Sequence, residues 1–393
     1  MAEPWLVIIG LGEDGLSGLS EASRLALSHA EYIFGGPRHL ALVDAGERGR
    51  AWPVPFDLAP LLALRGQSVV VLASGDPFWF GAGGSLSDHL DPSEWRTHSG
   101  ASSFGLAASR LGWRLETVTC LGLHAQPHAR ALPALTQGAR VICLMREGIA
   151  VADFARWLVS EGFGPSTLWV MEALGGPRER IRKTRAEDYD QTGIIMPVAI
   201  ALIIAGGKGL PRSPGLPDAV FSHDGQITKA PMRALALSAL APRPGERLWD
   251  IGAGSGSVSI EWCLAGGEAL ALELRPDRAG RIRDNALKFG VDDRLSVIEG
   301  RALTQLSGRP VPDAVFVGGG ADQALFAALW SMLPPGCRFV ANAVTLETEA
   351  LLLHWHRDKG GALMRIEIAQ STPLGEMRGW QPSRPVVQWS VTT

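Results

Sequence analysis

One stretch of the sequence, residues 248–262, constrains the fold more than any other. It reads LWDIGAGSGSVSIEW, in which an apolar start predicts a short buried strand and residues 257–264 predict an amphipathic helix. Between them, Gly252, Gly254 and Gly256 let the backbone approach a ligand where a Cβ atom would collide. The order of strand, glycine-rich turn and helix predicts an α/β unit whose helix begins with free N–H groups beside the turn.

The spacing of the glycines and two nearby acidic residues indicate which class of ligand this turn could bind. A dinucleotide fingerprint would have its third glycine where this chain has Ser257, so the spacing argues against NAD. Asp250 lies at the end of the strand, and Glu273 follows the next apolar run, 269–272. We expect Glu273 to accept both hydroxyls of a ribose, and Asp250 to orient the turn near an ammonium group. The alternative is a plain glycine turn in a βαβ unit.

Composition excludes several classes of protein. At 393 residues, with 46% hydrophobic and 20% charged residues, the chain is long enough for two or three domains and is not typical of a disordered protein. A net charge of −3 argues against nucleic acid as a partner.

The cysteines and the hydropathy pattern predict a cytoplasmic protein. The four cysteines are far apart and form no CxxC pair, which predicts buried thiols in a reducing compartment. The N-terminus carries no basic leader, and no apolar run reaches the ~18 residues of a membrane span. We therefore expect no membrane partner.

The first 205 residues alternate apolar strands with loops rich in small residues. The predicted strands of this half are 5–9, 68–73, 141–145, 168–171 and 197–205. Three loops lie beside them: Gly10-Leu11-Gly12, Ser74-Gly75-Asp76 and Ser102-Ser103. Ser20 predicts the N-cap of a helix that ends near His29. This alternation predicts an α/β architecture with loops gathered at the strand ends, where ligands usually bind.

A change in amino-acid composition marks a boundary between two parts of the chain. Residues 206–217 are dense in glycine and proline and carry few residues that could pack, which is typical of a linker. We therefore predict a first domain over 1–205, a linker over 206–217 and a second α/β domain over 218–393 built around the glycine turn. Further strands of the second domain are predicted at 312–317, 337–343 and 364–369.

The first domain resembles the tetrapyrrole (corrin/porphyrin) methylases. The resemblance rests on successive loops, namely Gly10-Leu11-Gly12, Ser74-Gly75-Asp76-Pro77, Ser102-Ser103 before Leu111-Gly112, and Glu172-Ala173-Leu174-Gly175. It implies two α/β subdomains with a cleft between them. It also implies a site for S-adenosylmethionine (SAM) formed by Gly10, Gly12, Ser74, Gly75, Asp76, Ser102, Ser103 and Met145. Where that family usually has Gly-Pro-Gly, this chain has Gly12-Glu13-Asp14.

The second domain resembles the Rossmann-type precorrin methyltransferase-decarboxylases. The matching segments are Ile227-Thr228-Lys229, residues 249–256, Gly318-Gly319 and residues 342–348. They imply a Rossmann-like class I methyltransferase fold with a second SAM site. The residues implied for that site are Thr228, Asp250, Gly252, Ala253, Gly254, Ser255, Gly256, Glu273 and Ala302. Where that family usually has Glu-Gly-Asp-Ala, this chain has Glu299-Gly300-Arg301-Ala302, so we expect Ala302 to stack on the adenine and Arg301 to be available to the substrate.

The order of the two halves is similar to that of a fused methyltransferase of cobalamin biosynthesis. The resemblance implies that the first domain methylates a precorrin at C5, and that the second methylates C15 and removes CO2 from the ring C acetate. SAM carries an electrophilic methyl group and the ring carbons are enamine-like, so the protein needs alignment more than a strong base. No residue identifies itself as a general acid or other catalytic group.

Carboxylate groups on such a substrate require cations around the pocket. The densest basic run, residues 178–185, is predicted to be a solvated face rather than a substrate clamp, and the arginines at 275–283 are interpreted in the same way. Trp79 is a candidate for lining a flat macrocycle pocket. We expect a homo-oligomer.

The histidines do not predict a metal site. His354 and His356 lie at i and i+2, which on a helix point to different faces. His124 and His128 have no acid or cysteine pattern beside them. The residues alone are also compatible with two other functions: a methyltransferase that acts on another acceptor, and a sensor that binds SAM without turnover.

Overall fold

The computed structural model describes residues 4–393, and Met1, Ala2 and Glu3, where the expected leaderless N-terminus begins, lie outside the described residues. The chain divides into two compact units. The first unit ends at Gly209 and the second begins at Leu210, although residues 129–133 also belong to the second. The division therefore falls inside the predicted linker. Every helix within the described residues is too short or too polar to cross a membrane.

The first unit begins with a parallel five-stranded sheet. Its strands are β1 (Leu6–Leu11), β2 (Tyr32–Gly35), β3 (Gly49–Ala51), β4 (Val69–Ser74) and β5 (Trp95–His98). Its helices are α1 (Glu21–His29), α2 (Pro37–Leu42), α3 (Ala59–Leu62) and α4 (Ala82–Ser87). The strand order is β3-β2-β4-β1-β5, which puts the carboxyl ends of β1 and β4 side by side. Ser20 caps α1 as predicted, since its Oγ accepts the N–H of Ser23 at 3.2 Å.

A second, mixed sheet completes the first unit. Its strands are β6 (Val118–Gly122), β7 (Arg140–Met145), β8 (Thr167–Glu172), β9 (Arg180–Arg185) and β10 (Val198–Ile203), accompanied by α5 (Ser103–Leu111) and α6 (Gly148–Ser160). The order is β6-β7-β10-β8-β9, and the pair β6 and β7 is parallel while the others are antiparallel. The two sheets form the two α/β subdomains that the sequence predicted.

The second unit is built on a seven-stranded sheet. Its strands are β11 (Arg247–Ile251), β12 (Glu268–Glu273), β13 (Leu295–Glu299), β14 (Ala314–Val317), β15 (Arg338–Ala343), β16 (Ala362–Ile366) and β19 (Val386–Thr392). Its helices are α7 (Ala230–Leu240), α8 (Ser257–Leu264), α9 (Pro276–Phe289), α10 (Ala302–Gln305), α11 (Gln323–Met332) and α12 (Leu346–Lys359). The order is β13-β12-β11-β14-β15-β19-β16, and the first five of these strands follow the 3-2-1-4-5 order of a doubly wound sheet. The predicted α/β fold class is confirmed.

One predicted strand is wrong. Residues 364–369 were expected to form a single strand, but β16 ends at Ile366 and Ala369 begins a separate hairpin of β17 (Ala369–Leu374) and β18 (Met377–Pro382). The strand β19 then returns antiparallel between β15 and β16. The apolar run had no turn signal inside it, so the sequence could not show where the chain leaves the sheet.

The central strand β11 shows how the second unit buries both faces of its sheet. Leu248 packs with the apolar residues of α7, α8 and α9, whereas Trp249 and Ile251 pack with those of α11 and α12. Successive side chains of a strand point to opposite faces, so a continuous apolar run fits a sheet that is covered on both sides. Asp250 consequently points to the α8 side, beneath the glycine turn.

The basic run at 178–185 is only in part the solvated face that the sequence predicted, since Arg178, Lys183 and Arg185 are exposed. In the edge strand β9, however, Arg180 and Arg182 both donate to the fully buried carboxylate of Glu172, with contacts of 2.5 and 2.6 Å. The N–H of Ile195 donates to the same carboxylate at 3.0 Å. Alternation along the strand directs every second residue inward, so Arg180 and Arg182 point to the same side, which a count of charges in the sequence cannot reveal.

We predict that Glu172→Gln lowers the free energy of unfolding by about 2 kcal/mol, because two guanidinium groups then lose their charged acceptor. The matched control is Glu187→Gln, which breaks an exposed pair with Arg185 at 3.5 Å and should change stability by less than about 0.5 kcal/mol. Urea unfolding followed by tryptophan fluorescence measures both variants. Equal midpoints for the two variants would contradict a structural role for Glu172.

Candidate functional site

The glycine turn of the second unit lies at the carboxyl end of β11, as predicted. Gly252 and Gly254 have φ angles of 68° and 61°, a region that side chains rarely adopt. A Cβ atom on Gly252 would come within 2.7 Å of the carbonyl oxygen of Gly319, which follows the neighbouring strand β14. A residue larger than glycine at position 252 would therefore push the two loops apart.

Glu273 holds this turn from beneath. Its carboxylate is buried, with 5% of the residue exposed, and accepts the N–H of Gly254 at 2.9 Å and the N–H of Arg275 at 3.0 Å. Each carboxylate oxygen keeps a second lone pair, so the group can accept a ligand hydroxyl in addition. The predicted role of Glu273 toward a ribose stays a prediction, and its contact with the turn is a further role that the sequence did not indicate.

Asp250 is fully buried between the turn and α8. Its Oδ2 accepts the hydroxyl of Ser259 at 2.6 Å, whereas Oδ1 has no hydrogen-bond donor among residues 4–393. Burial raises the pKa of Asp250 to about 6, the hydrogen bonds from Ser259 oppose this, and the charge of Glu273 adds to it. The predicted role of Asp250 near an ammonium group stays a prediction.

A cavity of about 810 Å³ opens above the turn. Four of the predicted residues line it, namely Thr228, Gly252, Ala253 and Gly254. The other predicted residues do not line it: Asp250, Ser255 and Glu273 are buried, Gly256 precedes α8, and Ala302 begins α10 and packs on the apolar cluster of α11 and α12. Arg301, the residue before α10, is exposed. The expected stacking of adenine on Ala302 stays a prediction.

The opposite wall of this cavity depends on a buried arginine that the sequence analysis missed. Arg233 of α7 is fully buried and donates to Glu261 of α8 at 2.6 Å and to Asp218 at 3.2 Å. It also donates to the carbonyl oxygen of Thr228, which lines the cavity. The network fixes the segment before α7 against α8, and its only sequence signal was an arginine inside an apolar helix pattern.

The arginines of α9 pair within the chain. Arg278 donates to Asp224 at 2.9 Å, and Arg281 lies 3.2 Å from the same carboxylate. These contacts, led by the hydrogen bond from Arg278, lower the pKa of Asp224. The loop that contains Asp224 is thereby tied to α9 at the edge of the cavity.

In the first unit three backbone segments meet at the ends of neighbouring parallel strands. A Cβ atom on Gly10, in β1, would overlap the carbonyl oxygen of Gly75 and the nitrogen of Gly100, which follow β4 and β5. Gly10 therefore allows the backbone segments to pack closely. The sequence had predicted instead that Gly10 contacts a ligand. The approach brings the three predicted loops of this unit together.

Two adjoining cavities lie beside these loops. The larger, of about 410 Å³, is lined by the predicted residues Ser74, Asp76, Ser102 and Ser103. The smaller, of about 240 Å³, is lined by Gly12, Ser74, Gly75, Ser103 and Met145. Aromatic side chains cover the larger cavity: Trp52, Phe56, Trp79, Phe80 and Phe104. The ring centroid of Trp79 lies 4.7 Å from that of Phe104, and its predicted role toward a flat macrocycle stays a prediction.

A charged cluster at the junction of the two cavities was not predicted. Glu13 is buried and forms ion pairs with Arg38 and, at 3.1 Å, with Arg178. Arg38 and His39 both contact the hydroxyl of Ser74, at 2.8 and 2.9 Å. Burial, and then the charge of Arg38, lower the pKa of His39 to about 4, so the imidazole is neutral near pH 7. Glu13, which departs from the family pattern, thus has a structural partner for its charge.

Comparison with known proteins gives matches over both units. Residues 5–190 match the family described as Tetrapyrrole (Corrin/Porphyrin) Methylases, and residues 219–393 match the family described as Precorrin methyltransferase domain. A precorrin-6Y C(5,15)-methyltransferase (decarboxylating) of Sinorhizobium sp is 47% identical over 403 residues, covering 100% of this chain and 97% of that protein. One of the same name from Mycobacterium tuberculosis (strain ATCC 25618 / H37Rv) is 38% identical, covering 98% of this chain and 99% of that protein.

A solved structure is also similar. It is the C-terminal domain of precorrin-6Y C5,15-methyltransferase from Rhodobacter capsulatus, which is 56% identical, has a TM-score of 0.46, and covers 47% of this chain and 100% of that chain.

We predict that Asp250→Asn stabilises the protein at neutral pH. The folded-state pKa of Asp250 is raised from 3.8 to about 6, so its favourable contribution is fully present below 3.8 and is lost as the pH rises through 6. The neutral amide should therefore raise the free energy of unfolding at about pH 7.5 by about 2 kcal/mol. Thermal unfolding measured from about pH 4 to pH 8 tests this, because the gain should vanish at the acidic end. A gain that is independent of pH would refute a buried, ionised Asp250.

Proposed function

This chain belongs to the family of precorrin-6Y C(5,15)-methyltransferases (decarboxylating), and from that premise we propose that its two units divide one reaction between them. The first unit methylates a precorrin at C5. The second methylates C15 and removes CO2 from the acetate of ring C. Each unit uses its own molecule of SAM, and the reaction is a step of cobalamin biosynthesis.

The observation that carries this proposal is that each unit has its own cavity at the carboxyl ends of parallel strands. In the second unit, the backbone of Gly252, Ala253 and Gly254 forms one wall of the cavity of about 810 Å³. A site of that size accommodates SAM together with part of a larger acceptor. The buried acids below the turn, Asp250 and Glu273, supply acceptors suited to a nucleoside with a positive charge.

The first unit supports a second, independent donor site. The smaller cavity is lined by glycines, serines and the apolar side chains of Met145, Met171 and Leu174, which suits the donor. The adjoining larger cavity has five aromatic side chains, which suits a flat macrocycle. Ser74, Phe80, Ser103 and Leu144 line both cavities, so the donor and the acceptor would meet there.

Alignment is the main contribution of the protein to this reaction. SAM, when bound, supplies an electrophilic methyl group on a sulfonium. The glycine turn and Thr228 would hold the donor in the second unit, while Ser74, Gly75 and Ser103 would hold it in the first. Holding the two reactants in contact can replace the need for a strong base, because the ring carbon is itself nucleophilic.

We include a homo-oligomer in the proposal. The hairpin of β17 and β18 exposes Leu374, Met377 and Trp380, each of them at least 70% accessible. Apolar side chains clustered on one exposed hairpin are typical of a contact surface. We also propose a reducing compartment, since all four thiols are free; Cys143, Cys263 and Cys337 are buried as expected, whereas Cys120 is only half-buried.

We predict that the wild-type protein binds two equivalents of SAM and that Gly254→Asp binds one. The substitution puts a side chain on a backbone with positive φ and a negative charge beside the carboxylate that accepts the Gly254 N–H. The matched control is Gly308→Asp, since Gly308 also has positive φ, at 73°, but has open space around its Cβ position. Isothermal titration calorimetry counts the sites. If Gly254→Asp still bound two equivalents, the second site would be assigned wrongly.

We predict further that incubation with a reduced precorrin and SAM gives a product with two added methyl groups and one carboxyl group lost as CO2. In Gly254→Asp, the product should carry the C5 methyl group alone, with its carboxylates intact, because the first unit is unchanged. Mass spectrometry of the tetrapyrrole measures methyl gain and CO2 loss together. Loss of CO2 without C15 methylation in this variant would show that decarboxylation does not require SAM in the second unit, and would contradict this prediction.

A further inference from the structure

The basic residues that line the cavity of the second unit are Lys229, Arg278 and Arg384. Two of them already have acidic partners, since Lys229 lies 3.6 Å from Asp218 and Arg278 lies 2.9 Å from Asp224. Arg384 is exposed and forms no salt bridge with a carboxylate of the described residues. It is therefore the cation of this cavity whose charge a ligand can still neutralise.

The backbone around Arg384 is held in place. Arg384 lies in the short turn between β18 and β19, where the N–H of Ser383 donates to the carbonyl oxygen of Ile368 at 2.8 Å. Pro385 follows, and a proline restricts the residue before it to extended conformations. The guanidinium thus extends from a fixed backbone position, which lowers the entropy lost when it binds a ligand.

A second donor is oriented toward the same cavity. Asn342, at the end of β15, lines the cavity, and its Oδ1 accepts the Nε2–H of Gln388 at 3.0 Å. Gln388 is 3% exposed, so this contact is shielded from water. Because the side-chain oxygen of Asn342 already accepts this hydrogen bond, its amide N–H groups are free to donate to an acceptor atom of a ligand.

We propose that Arg384 binds a carboxylate of the tetrapyrrole in the second unit, and that this carboxylate is one that the product retains. The proposal rests on the proposed function and assigns it a substrate-binding residue. A precorrin carries acetate and propionate groups, and a guanidinium can bind such a group through two parallel hydrogen bonds.

The chemistry of decarboxylation indicates which carboxylate of the substrate Arg384 binds. The bond between the acetate methylene and its carboxylate carbon breaks, the electron pair moves into a protonated ring imine, CO2 leaves, and the methylene carbon finally takes up a proton. A guanidinium on that carboxylate would stabilise a negative charge that disappears on the way to CO2, and so would stabilise the ground state more than the transition state. Arg384 therefore pairs with a different carboxylate and contributes to binding.

The test compares Arg384→Gln, Arg384→Lys and Arg378→Gln in the full-length protein, with a reduced precorrin and SAM. We expect Arg384→Gln to raise the KM for the precorrin in C15 methylation about tenfold, because one charge-assisted contact is lost. Arg384→Lys should recover part of the loss, since it keeps the charge but not the paired hydrogen bonds. Arg378 is an exposed arginine of β18 outside the cavity lining, so Arg378→Gln should leave KM unchanged.

Three further measurements decide the outcome. C5 methylation by the first unit should be unchanged in every variant, and the ratio of CO2 released to C15 methyl added should stay at the wild-type value. An unchanged KM in Arg384→Gln, or an equal rise in Arg378→Gln, would overturn the proposal. A changed ratio would show that Arg384 acts on the departing carboxylate. If the wild-type protein failed to convert the precorrin, the proposed function itself would be wrong.

Discussion

Both units depend on the same constraint: backbone segments cross at contact distance where neighbouring parallel strands end. In the second unit Gly252 faces the backbone of Gly319, and in the first Gly10 faces that of Gly75 and Gly100. A Cβ atom at Gly252 or Gly10 would collide with main-chain atoms, which cannot move aside as a flexible side chain can. The crossings bring the loops together, so each unit gains a cavity bordered by exposed backbone at the carboxyl ends of its strands.

Buried carboxylates hold neighbouring segments together in both units. In the second unit, Glu273 accepts hydrogen bonds from two backbone N–H groups beside the turn. In the first unit, Glu172 accepts hydrogen bonds from two arginines and one backbone N–H group. Asp250 differs, because one of its oxygens has no partner among residues 4–393 and its pKa is raised by burial. Such a group opposes folding at neutral pH, and its position under the glycine turn agrees with a role in ligand binding.

The sequence predicted the elements that have strong local signals. The strands β1, β4, β7, β8, β10, β11 and β12, and the cap of α1, lie where apolar runs and Ser20 indicated. The hairpin of β17 and β18 was missed because it is exposed and carries no apolar alternation, and the inward arginines of β9 were missed because their partner lies on another strand. The same reason applies to the site. Sequence motifs predicted that Thr228 and Gly254 belong to the site. Arg384 is recognised as a candidate only once the structure shows that the other basic residues of the cavity, Lys229 and Arg278, already have acidic partners.

The central claim is that each unit binds its own SAM through the loops at its strand ends. Hydrogen-deuterium exchange with and without SAM tests it most directly, because bound ligand shields backbone N–H groups. The account predicts slower exchange in two separate regions, residues 226–229 with 252–254 in the second unit, and 74–76 with 102–103 in the first. Protection confined to one of these regions at saturating SAM would contradict it.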